Sequence, residues 1–145
     1  MPIKPEITKH SNWKQELGSS FTRVQDFLEH VDLSGLYNHS MEHACRQFSF
    51  RVTRHFASLI RKGDPDDPLL LQVLPSAAEL QTHPDFSQDP LQDQEAHQGS
   101  GILQKYHGRA LLISTAACAI NCRYCFRRHF PYTSHQAARD KWSGA

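Results

Sequence analysis

Apolar residues recur at helical spacing through the first half of the chain and thin into short isolated runs in the second. Phe21, Val24, Phe27, Leu28 and Val31 share one face of a helix predicted over 19–31, with Ser19 or Ser20 as its N-cap. A shorter helix is predicted from Trp13 to Leu17, stopped by Gly18. Two more are expected, from about Met41 to Phe48 and from Thr53 to Lys62. The second puts Phe56, Leu59 and Ile60 on one side and ends at Gly63. Asp64-Pro65-Asp66-Asp67-Pro68 then breaks the periodicity, and five of the eight prolines lie between 65 and 90. This tract reads as a wrapping segment rather than core, with one short helix near Ser76 to Gln81. Gln98-Gly99-Ser100-Gly101 divides a helical region, 1–100, from a second region, 101–145. In the latter, Arg109-Ala110-Leu111-Leu112-Ile113-Ser114 follows Gly108 as an apolar run, which predicts a buried strand feeding a loop. A strand that ends in a ligand-bearing loop is how open α/β sheets and barrels present chemistry. There is no internal repeat and no low-complexity tract.

Composition narrows this picture. With 145 residues, 39% of them hydrophobic, and a net charge of +1, the chain amounts to one ordinary domain at most and is too apolar to be disordered. Collagenous and mucin-like classes are excluded. Charged residues from Lys4 to Asp26 interrupt any secretory apolar core, and Ala110 to Ile113 falls far short of the roughly 18 residues a membrane helix needs. A cytoplasmic protein with no membrane partner is expected. The near-neutral total hides a segregation of charge. Residues 64–98 carry eight acids and no Lys or Arg, whereas 101–128 carry Lys105, Arg109, Arg123, Arg127 and Arg128 and no acid. Such a basic stretch suits an anionic partner, or is simply a solvated face.

Cysteine spacing bears on that choice. Cys118, Cys122 and Cys125 form C-x3-C-x2-C inside the basic stretch, and closely spaced thiolates select zinc, copper(I) or iron–sulfur clusters. Nearby arginines stabilise thiolates and grip carboxylates. His129 offers a fourth zinc ligand, giving a Cys3His module whose Arg127 and Arg128 would contact nucleic-acid phosphates. An iron–sulfur cluster instead leaves one iron open to an external ligand. Cys45 stands alone in a helical stretch and reads as a small buried residue.

With Tyr124 just before its last cysteine, the C-x3-C-x2-C segment resembles the radical S-adenosylmethionine (SAM) motif. A longer ordered set resembles the lysine 2,3-aminomutase family. It comprises Asp64 to Pro68, Gln72-Val73-Leu74-Pro75, Asp89-Pro90-Leu91, Lys105-Tyr106, Arg109 to Leu112, and Cys125-Phe126-Arg127-Arg128-His129-Phe130. The resemblance runs from about Phe21 to Tyr132. The string from Phe126 to Tyr132 is most similar to the branch that makes β-lysine for elongation factor P.

The resemblance implies a fold and a chemistry. The fold is α/β: an N-terminal helical extension, then the first strand and cluster loop of a truncated radical SAM partial (β/α) barrel. Cys118, Cys122 and Cys125 would ligate a [4Fe–4S] cluster whose open iron takes SAM, and Tyr124 matches an aromatic position near the adenosyl group, which packing alone would also explain. Lys105, Tyr106 and Arg109 match positions that hold the phosphate of pyridoxal phosphate. Lys105 stands where an arginine is expected, keeping charge but losing the planar fork. Arg127 matches the position that grips the carboxylate of the substrate, lysine. The implied reaction is a radical 1,2-amino shift giving β-lysine, which a ligase would transfer to elongation factor P, with no nucleic acid involved. The lysine that forms the Schiff base, the glycine-rich SAM segment and the remaining barrel strands have no counterpart here. The resemblance therefore implies a fragment, inactive and poorly folded alone, of an enzyme expected to be a homo-oligomer at full length.

Overall fold

In a computed structural model of the protein, residues 12–98, 101–115 and 118–130 are described. The expected boundary residues Gly99 and Ser100, and the stretch from Pro131 to Ala145, lie outside them. Each element of the first half begins where a polar side chain satisfies a helix's unpaired N–H groups. Asn12 caps α1 (Trp13–Gly18), Asn38 caps α3 (His39–Gln47) and Thr53 caps α4 (Arg54–Ser58). Helix α2 (Val24–His30) starts later than its periodicity suggests and has no side-chain cap. The serines expected to cap it close α1 instead, Ser19 donating to the Glu16 carbonyl (3.1 Å) and Ser20 to that of Leu17 (2.9 Å). Phe21 is left extended in an antiparallel bridge with Val52, though still buried.

Helix α4 also ends sooner than expected. Leu59 turns outward while Ala57 and Ile60 are buried, and the chain turns through Gly63, whose N–H bonds the Val31 carbonyl (2.9 Å) at a φ of 70°. Glycine meets no steric penalty there. The acidic tract is not merely a wrapper, because it contains α5 (Pro68–Val73), with Pro68 in the first turn and Asp67 as N-cap. Both oxygens of Asp67 are used: Oδ1 accepts from the N–H groups of Leu69 and Leu70, and Oδ2 from the backbone and side chain of Arg61. Burial pushes this carboxyl up, but those hydrogen bonds outweigh it and bring the pKa to about 2. Leu70 and Val73 of α5 are fully buried. The short helix near Ser76 is a 3-10 turn, Ala77–Leu80, begun by a capping box between Ser76 and Glu79.

One apolar cluster runs from Phe21 to Val73 and includes Phe27, Leu28, Val31, Met41, Phe50 and Val52. Each such side chain contributes about 1.5–3 kcal/mol on burial. Beyond residue 100 the predicted strand exists but is not a buried strand. It is β2 (Arg109–Leu112), exposed at all four residues and paired antiparallel with β1 (Ile102–Tyr106) across a turn at Gly108. Only Leu103 of β1 and Ile113 just past β2 reach the interior. Among the described residues the sheet has these two strands alone, which is why its apolar run is not covered on both faces. No helix among the described residues is long and apolar enough to cross a membrane.

Candidate functional site

The cysteine-bearing loop is laid on the helical half by directional bonds. Ile120 packs against the apolar cluster. Asn121 donates from its backbone to Arg51 (2.9 Å) and from its side chain to the Ser49 carbonyl (2.9 Å). The Arg123 N–H reaches the Gln72 carbonyl (2.8 Å), and its buried guanidinium lies over the Phe48 ring while donating to the Phe48 carbonyl (2.8 Å). Arg123 also meets Glu79 at 2.5 Å, and Arg128 meets the same carboxylate at 2.7 Å. Burial would raise the pKa of Glu79, but Arg123, the Ser76 N–H and Arg128 hold it below the usual value, so it is a carboxylate at neutral pH.

This frame fixes the turn between two of the three cysteines. The Cys125 N–H bonds the Cys122 carbonyl (3.0 Å), and Arg128 N–H bonds the Cys125 carbonyl (3.1 Å). Cys122 and Cys125 are half-buried and Cys118 is exposed. Tyr124 is exposed and donates to Gln72 Oε1 (3.2 Å). The neighbouring Cys122 raises the tyrosine's pKa above its ordinary value. As donors, three thiols on one loop, in a stretch free of acids, fit a soft metal centre. They do not converge: among the described residues no three His, Cys, Asp or Glu side chains come together as a metal site. Cys45 is half-buried against the core and its thiol is pushed up by burial, as suits packing rather than chemistry.

A cavity of about 360 Å³ brings together the other singled-out residues. Lys105, Tyr106 and Arg109 of the hairpin line it with Arg127 of the cysteine loop, beside Leu91, Asp93 and Leu103. The β1 pairing is irregular between Leu103 and Tyr106, the stretch that carries Lys105. Burial raises the Asp93 pKa, but Lys105 and Arg127 lower it further, so this carboxylate is charged. Two cations, Lys105 and Arg109, and a phenol fit a phosphate monoester. His129 lines a different cavity, of about 470 Å³, with Glu79, His83 and Phe86.

Glu79 and Asp93 were not singled out by the sequence, and Arg123 had no role there beyond local charge, while Arg128 had one only in the zinc module. The signal that could have found them was the juxtaposition of an acidic tract and a basic one: part of the anionic partner that the basic stretch seeks is the chain's own. No protein-family model matches the chain. Several relatives named L-lysine 2,3-aminomutase do. The Escherichia coli protein is 51% identical over 102 residues, covering 70% of this chain and 30% of the relative. That of Buchnera aphidicola is 39% identical over 130 residues, 89% of this chain and 38% of the relative. That of Haemophilus influenzae is 37% identical over 142 residues, 98% of this chain and 42% of the relative. The chain thus spans well under half the length of these relatives. Over the stretch it spans, the chain is homologous to proteins named L-lysine 2,3-aminomutase.

Proposed function

We propose that this chain supplies the cluster loop and one wall of the cofactor and substrate cleft of a lysine 2,3-aminomutase of the radical SAM type. The observation that carries the reading is the meeting of Lys105, Tyr106, Arg109 and Arg127 around one cavity, with Arg127 two residues past Cys125. Two segments distant in sequence present cations to the same space, as a cofactor phosphate and a substrate carboxylate held side by side would require. In this reading Cys118, Cys122 and Cys125 hold a [4Fe–4S] cluster that SAM completes, and Tyr124 lies beside the adenosyl group. Lys105, Tyr106 and Arg109 hold the phosphate of pyridoxal phosphate, and Arg127 holds the lysine carboxylate. When bound, these groups supply a radical that starts a 1,2-amino shift and a ring that carries the migrating nitrogen.

The chain's own residues do the positioning. Arg123 and Glu79 seat the cysteine turn on the helical half, and the hairpin presents its cations from a backbone bonded to the end of the acidic tract at Ala96 and Gln98. In this reading β2, the strand that precedes the cysteine loop, is the one that opens the partial barrel, and β1 is a hairpin flap paired to it. The product, β-lysine, goes to the cytoplasmic modification of elongation factor P.

Turnover tests the reading. The full-length enzyme that contains this chain, incubated anaerobically with L-lysine, SAM, pyridoxal phosphate and a low-potential reductant, forms β-lysine, and its Cys122→Ala variant forms none. Product from Cys122→Ala equal to wild type would refute it. A zinc module is the competing assignment, and no observation favours it, since His129 faces a different cavity from Arg127.

A further inference from the structure

Asp93 lies where the acidic tract meets the basic segment, and no role assigned so far accounts for it. Its carboxylate is buried, yet its two oxygens meet cations from two different segments. Oδ1 lies 2.5 Å from Nζ of Lys105 on β1, and Oδ2 accepts from Nε of Arg127 at 2.7 Å. The residue is itself held in place. Its N–H donates to Asp89 Oδ1 and that of Gln94 to Asp89 Oδ2, both at 2.9 Å, after Gln92 in a left-handed turn with a φ of 54°. Just beyond, Gln98 N–H bonds the Ile102 carbonyl and Gln104 N–H bonds that of Ala96, each at 2.9 Å, so this stretch is stitched to β1.

All three side chains line the same cavity. Without the carboxylate, Lys105 and Arg127 would face one another as like charges. With it, the cavity loses net positive charge, which weakens attraction for any anion. A buried acid that lowers the charge of an anion site is therefore there for geometry. It takes Arg127 by Nε and so fixes the plane of the guanidinium.

We propose that Asp93 is a positioning residue that yokes Lys105 to Arg127, setting the spacing between a phosphate-holding and a carboxylate-holding cation in one cleft. The inference rests on the reading of that cleft given above. It separates two effects that a merely structural residue would lose together. Neutralising Asp93 strengthens the attraction for a phosphate dianion while releasing the orientation on which carboxylate binding depends.

The test compares wild type, Asp93→Asn and Asp93→Glu in the cluster-loaded full-length enzyme that contains this chain. Titration with pyridoxal phosphate reads the first cation, the KM for lysine reads the second, and hydrogen exchange at the Arg128 and Phe130 amides reads the turn after Cys125. Asp93→Asn is expected to bind pyridoxal phosphate at least as tightly as wild type. Its KM for lysine should rise about tenfold with kcat within about threefold, as for loss of uniform binding, and exchange at both amides should quicken. Asp93→Glu should raise KM by a smaller factor, about threefold, with pyridoxal phosphate affinity retained. A parallel loss of both affinities, or no change in any readout, overturns the proposal. If Asp93→Asn does not fold, Asp93→Glu decides: wild-type KM in that variant overturns the yoke. If wild type neither binds pyridoxal phosphate nor turns over lysine, the proposed function fails. The yoke then stands or falls on whether exchange at the two amides quickens.

Discussion

The helical half and the hairpin-and-cysteine half of the molecule bury different things. Between Phe21 and Val73 the interior is apolar, with Phe27, Leu28, Val31, Val52, Leu70 and Val73 fully enclosed. Between Gly101 and Phe130 the large buried apolar side chains are Leu103 and Ile113, and the notable buried group is the guanidinium of Arg123. Tyr106, Leu111, Leu112, Tyr124 and Phe126 are exposed. The first half is held by non-directional burial, whose strength comes from area. The second is held by ion pairs and hydrogen bonds to Glu79, Asp93, Gln72, Ser49 and Arg51, whose strength is modest but whose geometry is specific. One half is a platform and the other is a positioned loop, which is the division a cofactor site needs.

That contrast can be broken most forcefully at Phe27. Phe27→Ala opens a cavity at the centre of the apolar cluster, against Phe21 and Phe50, and is expected to cost about 3–5 kcal/mol. Urea denaturation followed by circular dichroism should show both halves lost together, since the loop has no platform left. Glu79→Gln acts on the other side of the comparison. It leaves Arg123 and Arg128 without their shared carboxylate and is expected to cost about 3 kcal/mol. Here the loss should be local. Alkylation of Cys122 and Cys125 should accelerate well before the helical signal changes, and simultaneous loss of both would show that the halves are one cooperative unit.

A smaller effect comes from Asp67, the acid in the platform. Its folded pKa of about 2 lies below its ordinary value of 3.8, so the stabilisation it confers is complete above pH 4 and fades as pH falls from there toward 2. Asp67→Ala should remove about 1–2 kcal/mol at neutral pH, as for loss of an N-cap, and flatten that acid limb. Melting temperature measured from pH 2 to 7 in both proteins checks this. An unchanged limb in the variant would assign acid sensitivity to Glu79 and Asp93 instead.

The same contrast explains what could be read from sequence. The apolar periodicity of Val24, Phe27, Leu28 and Val31 was legible because burial of area leaves a spacing signal. The start of α2 was not, because the pairing of Phe21 with Val52 is a long-range competitor that local periodicity cannot register. Helix α5 went unread although Asp67-Pro68 is a helix-start signal, since the surrounding prolines spoke for a break. The apolar run at Arg109 was read as buried because its alternation is weak, whereas its partner is the adjacent β1 in an exposed hairpin. In the site, Lys105, Tyr106, Arg109 and Arg127 were legible through resemblance and do share a cavity. Glu79 and Asp93 were visible only as part of an acidic tract, because which acid meets which base is decided by the fold.

The central claim is that the loop from Cys118 to Cys125 holds an iron–sulfur cluster. Anaerobic reconstitution with iron and sulfide, followed by metal and sulfide analysis, tests it most directly. The account predicts about four irons and four sulfides per chain with a brown chromophore, lost in Cys122→Ala. One tightly bound zinc and no iron, or iron retained in full by Cys122→Ala, would contradict it.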